Sequence, residues 1–482
     1  MKGVKNGGAR KRVSAAWGRL KWPGLLAVVL LCLGAVVVVG MVPGLLSIPK
    51  PSPTIPAWQQ EPGHLTDANG VLPLDADAPI PLPAEVTKLL DATLKPDGAG
   101  TISGVVMDAS TGQVLFDRNA NDNRIPASNM KLLTAVAALK ALGPESRFTT
   151  RVLASDDPST VVLTGGGDVL LGSSASDPSA LLGRAGLASL AKDTAEALAD
   201  AGVKGPVTVQ VDDSLFAGAP LNPAWSLDDV AAGETAPLFS LALNSGRFSP
   251  GVVTGPRPQD SAVTTAQAFA EQLAAAGVSV TPGVERGKGL PAKVLATAES
   301  ATVSEQVDLM LETSDNFLAE ALGRMTAGAS GQKATYDGAT AAVRQRLGEL
   351  GIATDSMQLA DVSGLALENQ VSARQFADVV RAITSGPDLA LRTALDGFPV
   401  AGLTGTLDDR YVDASTAEGA GLVRAKTGTL NTVIALSGYV VDADGRLLVF
   451  SFIGNGLDPG AAGNKVAMDR SASVLASCGC RG

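Results

Sequence analysis

The chain is predicted to be an α+β protein: one antiparallel five-stranded sheet covered by helices, interrupted by an inserted domain and preceded by a transmembrane helix. Three observations predict this. Strand-like runs stand near both ends of the body, two early and three late, with helical stretches beside them. Antiparallel pairing of the two sets under a helical cover buries both. A long composite stretch separates the sets. A basic N-terminus precedes an apolar run of roughly 20 residues, the length that crosses a bilayer as a helix.

Taken in order, residues 1–22 carry seven Lys or Arg and no acid. That flank places the N-terminus in the cytoplasm. Residues 23–46 form the apolar run. A cleaved signal would have a shorter apolar core and a small-residue cleavage site. This run instead ends in Val42-Pro43-Gly44, so an uncleaved anchor is expected. Residues 47–83 hold nine prolines and read as an extended stalk lifting the body off the membrane. The body is then expected outside the cytoplasm, in the cell envelope.

Within the body, 83–94 reads as a helix with proline at its first position. A hairpin follows, with strands 104–108 and 113–117 around Ser110-Thr111-Gly112. Residues 128–142 read as a helix stopped by Gly143-Pro144. The excursion 147–290 holds strand-like runs at 161–163, 207–211 and 278–280, and Ala-rich helices at 187–201 and 265–276. It is expected to be an inserted domain, leaving 84–146 and 291–482 as the main domain. Residues 301–326 and 339–351 read as helices of that domain. Strands are expected at 422–429, 433–441 and 447–453, and a closing helix at 464–475.

Composition excludes several chemistries. The chain has 482 residues and a single histidine, His64, set in the proline-rich stalk. No site with two histidine ligands is available, and a Ser-His-Asp triad would need its base from a linker. Cys32 lies in the apolar run, and Cys478 and Cys480 sit at the C-terminus without a CxxC pair, so no metal or redox motif is formed. Of the 38 basic residues, 8 fall in residues 1–50, which hold no acid; the other 30 face 48 acids, a net of −18. An acidic body argues against nucleic acid as a partner. A nucleophilic enzyme without usable imidazole needs another base, and lysine is the candidate.

Ser-x-x-Lys occurs four times: Ser47/Lys50, Ser128/Lys131, Ser189/Lys192 and Ser330/Lys333. Only Ser128 stands at a predicted helix start after a proline. There the spacing puts Ser128 and Lys131 on one face. The helix end offers N–H groups to an oxyanion and disfavours charge on the lysine. Alone, this pattern is also that of a capping serine before a surface lysine. Two rarer motifs change the balance. Ser314-Asp315-Asn316 lies in the helical run 306–324, and Lys426-Thr427-Gly428 leads into Thr429 on a predicted strand. Lys426 supplies a cation for a substrate carboxylate. Gly428 allows backbone to approach backbone, so an extended peptide fits the strand edge. Ser314 suits a proton relay, and Asn316 suits a substrate amide.

This ordered set resembles the penicillin-binding serine DD-peptidases, in particular the class C low-molecular-mass D-alanyl-D-alanine carboxypeptidase/endopeptidase family. The likeness extends over Gly165-Gly166-Gly167-Asp168, Leu243-Asn244, Ala319-Glu320, Asp361-Val362-Ser363-Gly364 and Gly405-Thr406-Leu407. Val362 replaces the glycine usual in its loop. The resemblance implies the penicillin-binding transpeptidase/β-lactamase-like fold and hydrolysis of peptidoglycan stem peptides without a cofactor or metal. By it, Ser128 is the nucleophile, Lys131 the base and Ser314 a relay. Asn316, Lys426, Thr427, Gly428 and Thr429 would bind substrate, Thr429 lending an oxyanion-hole N–H. β-Lactams would acylate Ser128. A β-lactamase, or an inactive wall-associated protein of the same fold, shares these motifs.

Overall fold

The computed structural model describes residues 74–481 except 76 and 292. The predicted transmembrane segment, the basic tail, most of the stalk, Cys32 and His64 lie outside the described residues. Among the described residues no helix is long and apolar enough to cross a membrane.

The five-stranded sheet forms from both ends of the body, as predicted. In spatial order its strands are Arg424–Leu430, Val433–Val441, Leu447–Asp458, Ala99–Asp108 and Val114–Arg118, and all neighbours pair antiparallel. Alternate residues serve two cores. Val105, Met107, Val449 and Ile453 join the cluster with the helices Met130–Leu142 and Ala373–Ser385. Val106, Leu448, Phe450 and Phe452 join that of Pro83–Thr93 and Ala461–Ala476. Both faces are covered, which is why residues 433–441 and 447–453 read as near-continuous apolar runs. The helix Ala373–Ser385 escaped the sequence reading. Its signal was present: a Ser372/Gln375 capping box and buried Phe376, Val379, Val380 and Ile383 at helical spacing.

A second five-stranded sheet orders Val280–Arg286, Val207–Asp212, Thr160–Thr164, Arg147–Ala154 and Val294–Thr302. It packs its own cluster against the helices Leu187–Asp200 and Ser261–Ala275. The excursion therefore ends near Thr302, not at 290. Its entry and exit strands are paired neighbours, with Arg147 opposite Thr302, so the chain leaves and rejoins the main body at one place. The alternating run 294–302 is too poor in large apolar residues to have been read as a strand.

Two further boundaries move. The stalk stops short of 83, because Ala78 is buried and its carbonyl accepts from Arg446 Nη1 at 3.1 Å. Leu82 N also donates to the Cys480 carbonyl at 2.9 Å. The run 301–326 is two helices, Val303–Thr313 and Asn316–Ala329. Ser314 sits between them in the left-handed region (φ 59°), and Asp315 caps the second helix by accepting from Leu318 N at 3.0 Å. The Ser-Asp-Asn motif thus occupies a break rather than a helix interior. The break turns Ser314 into a cleft, which a continuous helix would not do.

Candidate active site

Ser128 lies in a 3-10 turn, Ala127–Asn129, that feeds the helix Met130–Leu142, so the α-helix begins two residues after the predicted start at 128. Ala127 is held at φ 48°, a costly conformation for a residue with a side chain. Two glycines press against it. A Cβ on Gly364 would meet the Ala127 carbonyl at 1.9 Å, and one on Gly428 would lie 2.9 Å from the Pro126 carbonyl and 3.2 Å from Ser128 N. The close approach that Gly428 permits is therefore to the chain's own nucleophile turn. Gly428→Ala is expected to push that turn aside and slow acylation of Ser128 by about 100-fold, measured as the rate of labelling by a fluorescent penicillin.

Lys131, in the first turn of the helix, is fully buried. Its Nζ stands 3.0 Å from Ser128 Oγ, 2.6 Å from Asn316 Oδ1 and 2.7 Å from the Ser363 carbonyl. A neutral amine has two N–H and one lone pair. The two carbonyl oxygens can only accept, so they take the two N–H and leave the lone pair facing Ser128. Burial pulls Lys131 down to about 8, while the charges of Asp361, Asp315, Glu320 and Glu234 restrain the fall.

The third motif stands on the edge strand Arg424–Leu430. Lys426 is fully buried behind Thr427, and its Nζ donates to the Thr427 carbonyl at 2.9 Å. Burial holds it well below the usual lysine range, and the nearby Lys131 lowers it further. The groups facing the cleft are Thr427, Thr429 and Thr406, and Thr427 and Thr406 share a hydroxyl hydrogen bond of 2.7 Å. Strand alternation is the reason: Thr427 and Thr429 point one way, and Lys426 the other.

These motifs meet in one cleft of about 1130 Å³, lined by Ser128, Ser314, Asn316, Thr427 and Thr429 among others. The competing Ser-x-x-Lys pairs fall elsewhere. Lys192 is exposed and pairs with Glu196, and Ser330 Oγ accepts from Arg346 Nε; Ser47/Lys50 lies outside the described residues.

The sequence reading missed one contributor, the segment 222–234 of the excursion. The Glu234 carbonyl accepts from Asn316 Nδ2 at 3.0 Å, which fixes the amide with Oδ1 toward Lys131. Trp225 Nε1 donates to Asp361 Oδ2 at 2.9 Å, and the Trp225 ring meets Tyr336 edge-on. Asp228, Asp229 and Glu234 line the cleft. Trp225, one of four tryptophans, was the available hint. The Asp361 loop was noticed only as part of the resemblance. Val362 fits there because Gly323 leaves room: a Cβ on Gly323 would meet Val362 Cγ2 at 2.5 Å.

The model of the D-Ala-D-Ala carboxypeptidase 3 (S13) family matches residues 86–259 and 254–475. The chain belongs to this family. It is 36% identical to carboxypeptidase DacB of Mycolicibacterium smegmatis, over 89% of this chain and 92% of that protein. It is 37% identical to carboxypeptidase Rv3627c of Mycobacterium tuberculosis, over 85% of this chain and 88% of that one. Among solved structures it resembles penicillin binding protein 4 (dacB) from Haemophilus influenzae. The TM-score is 0.65 at 20% identity, over 80% of this chain and 98% of that chain. The ranges matched to the S13 family span the strands of both sheets.

Proposed function

We propose that this S13 family member is a serine-type D-Ala-D-Ala carboxypeptidase acting on peptidoglycan stem peptides through an acyl-enzyme, with endopeptidase action on the same D-residue bonds. The names of its relatives support the reaction. The observation that carries the mechanism is Lys131 Nζ, buried, 3.0 Å from Ser128 Oγ, with its other two partners both carbonyl oxygens.

Neutral Lys131 takes the Ser128 proton as Oγ attacks the carbonyl of the penultimate D-Ala. N–H groups of Ser128 and Thr429 hold the oxyanion. The intermediate collapses by breaking the C–N bond, and the leaving D-Ala amine receives its proton from Lys131 by way of Ser314. Thr427 and Thr406 hold the terminal carboxylate with Lys426 beneath them, and Asn316 holds the substrate amide. Water then hydrolyses the ester. β-Lactams, carrying a reactive amide and a carboxylate in like positions, acylate the same serine. The N-terminal anchor and stalk would hold the body in the envelope, where this substrate lies.

The test is mass spectrometry after penicillin treatment. The adduct is expected on the peptide carrying Ser128 and absent in Ser128→Ala, with D-Ala released from a D-Ala-D-Ala peptide by the wild type. A Ser128→Ala protein that still labels would falsify the choice of nucleophile. Rapid turnover of penicillin instead of a lasting adduct favours the β-lactamase reading.

The pH dependence has a definite sign. The base is the neutral amine, present above the lysine pKa and lost as pH falls through it. Acylation is therefore expected to rise through about pH 8 and to decline below it. Labelling rates across pH 6–10, a range of about two units either side of that value, check this.

A further inference from the structure

The loop 361–366 contributes no reacting group, yet its Asp361 gathers five hydrogen bonds beneath the site. Asp361 is fully buried. Its Oδ1 accepts from Gly364 N at 2.8 Å and Asn369 Nδ2 at 2.7 Å. Its Oδ2 accepts from Ala366 N at 2.7 Å, Trp225 Nε1 at 2.9 Å and Ser363 Oγ at 3.3 Å. Together these five donors leave the carboxylate a single orientation and compensate its burial.

The bond to Gly364 N reaches the chemistry. In a trans peptide the N–H of Gly364 and the carbonyl of Ser363 point in opposite directions. A carboxylate that holds the N–H therefore turns the carbonyl the other way, onto Lys131 Nζ at 2.7 Å. Gly364 has φ 88°, which lets the chain make this turn. Glu320 Oε1 holds the preceding amides, accepting from Val362 N at 3.0 Å and Ser363 N at 2.8 Å. The carbonyl has no freedom to swing away.

We propose that Asp361 is a positioning residue: it holds the Ser363 carbonyl as one of the two acceptors that aim the Lys131 lone pair at Ser128, and Trp225 of the inserted segment holds Asp361 in turn. The inserted segment is thereby coupled to the catalytic lysine without touching it. This rests on the reading of Lys131 as base.

The test compares the wild type with Asp361→Asn in full-length protein, using fluorescent-penicillin acylation rates across pH and the kcat and KM of D-Ala release. Asparagine keeps the volume but presents N–H to donors that need an acceptor. Acylation is expected to fall about 100-fold, as for a small misplacement at the reacting centre, with KM within about threefold, a shift too small for a lost substrate contact. The acid limb should move to lower pH, because the charge of Asp361 favours protonated Lys131. Of the other groups facing Lys131, Asp315, Glu320, Glu234 and Lys426 are unchanged in this variant. A rate within threefold of wild type, or a loss confined to KM with the acid limb unmoved, overturns the proposal.

If Asp361→Asn does not fold, Trp225→Phe decides. It keeps a ring against Tyr336 and the charge of Asp361, and removes one donor. Acylation about fivefold slower at unchanged KM is expected, the worth of one hydrogen bond; an unchanged rate overturns the proposal. Failure of the underlying reading looks different, since then the wild type itself takes no label.

Discussion

Replacing Lys131 by methionine is expected to slow acylation of Ser128 by about 1,000-fold, within the range that a positioned general base contributes. Methionine fills much of the buried volume and removes only the amine. Ser128 then keeps its oxyanion donors and loses the group that accepts its proton. The contacts assigned to substrate lie on Asn316, Thr427 and Thr429, so KM for a D-Ala-D-Ala peptide should stay within about threefold while kcat carries the loss. The fold has reason to survive. The Asn316 and Ser363 carbonyls each lose one donor, at a cost of about 1–3 kcal/mol, but a buried cation disappears at the same time. Pre-steady-state penicillin labelling, with circular dichroism as the folding control, checks both halves. A variant that retains a tenth of the wild-type rate would mean another group serves as base, and Lys426 is the neighbour to test.

The second large effect concerns stability. Arg446→Leu is expected to lower the unfolding free energy by about 3–5 kcal/mol, the cost of removing one partner from a buried ion pair. Asp108 is fully buried and Arg446 nearly so. They are joined by a two-pronged contact, Nε to Oδ2 and Nη2 to Oδ1, the latter at 2.8 Å. Arg446 Nη1 also donates to the Ala78 carbonyl at 3.1 Å. One side chain thus ties the first strand of the sheet, the turn before the last strand, and the chain entering from the stalk. Leucine leaves the Asp108 carboxylate with only the Thr111 donors. Urea denaturation measures the loss. Arg446 is remote from Ser128 in role, so folded Arg446→Leu should label with penicillin at the wild-type rate.

The legible part of the active site and its hidden part differ in kind. Ser128 and Lys131 were readable because they stand three positions apart and one turn of helix brings them together. The edge strand around Lys426-Thr427-Gly428 was readable from that motif and from the apolar strand pair that follows it. The break at Ser314 was not. A helical propensity window averages over it, and only the capping by Asp315 and the left-handed Ser314 reveal it. The burial of Lys426 beneath Thr427 was not legible for a related reason. A cation is expected to seek an anion in the cleft, but strand alternation sends this one inward once Thr427 faces out. The segment 222–234 was hidden by distance in sequence. Nothing local marks Trp225 as a donor to a loop 136 residues away.

The sequence by itself determined the sheet built from both chain ends, the helical spacing that pairs Ser128 with Lys131, and the family. These rest on local spacing, near-continuous apolar runs and short motifs, each spanning a few residues. Tertiary structure decided what the single histidine had only implied. It buried Lys131, surrounded it with two carbonyl acceptors drawn from residues 316 and 363, and pressed Gly364 and Gly428 against the nucleophile turn. A lysine becomes a base near neutral pH through desolvation and fixed partners, and both are supplied by segments far apart in the chain.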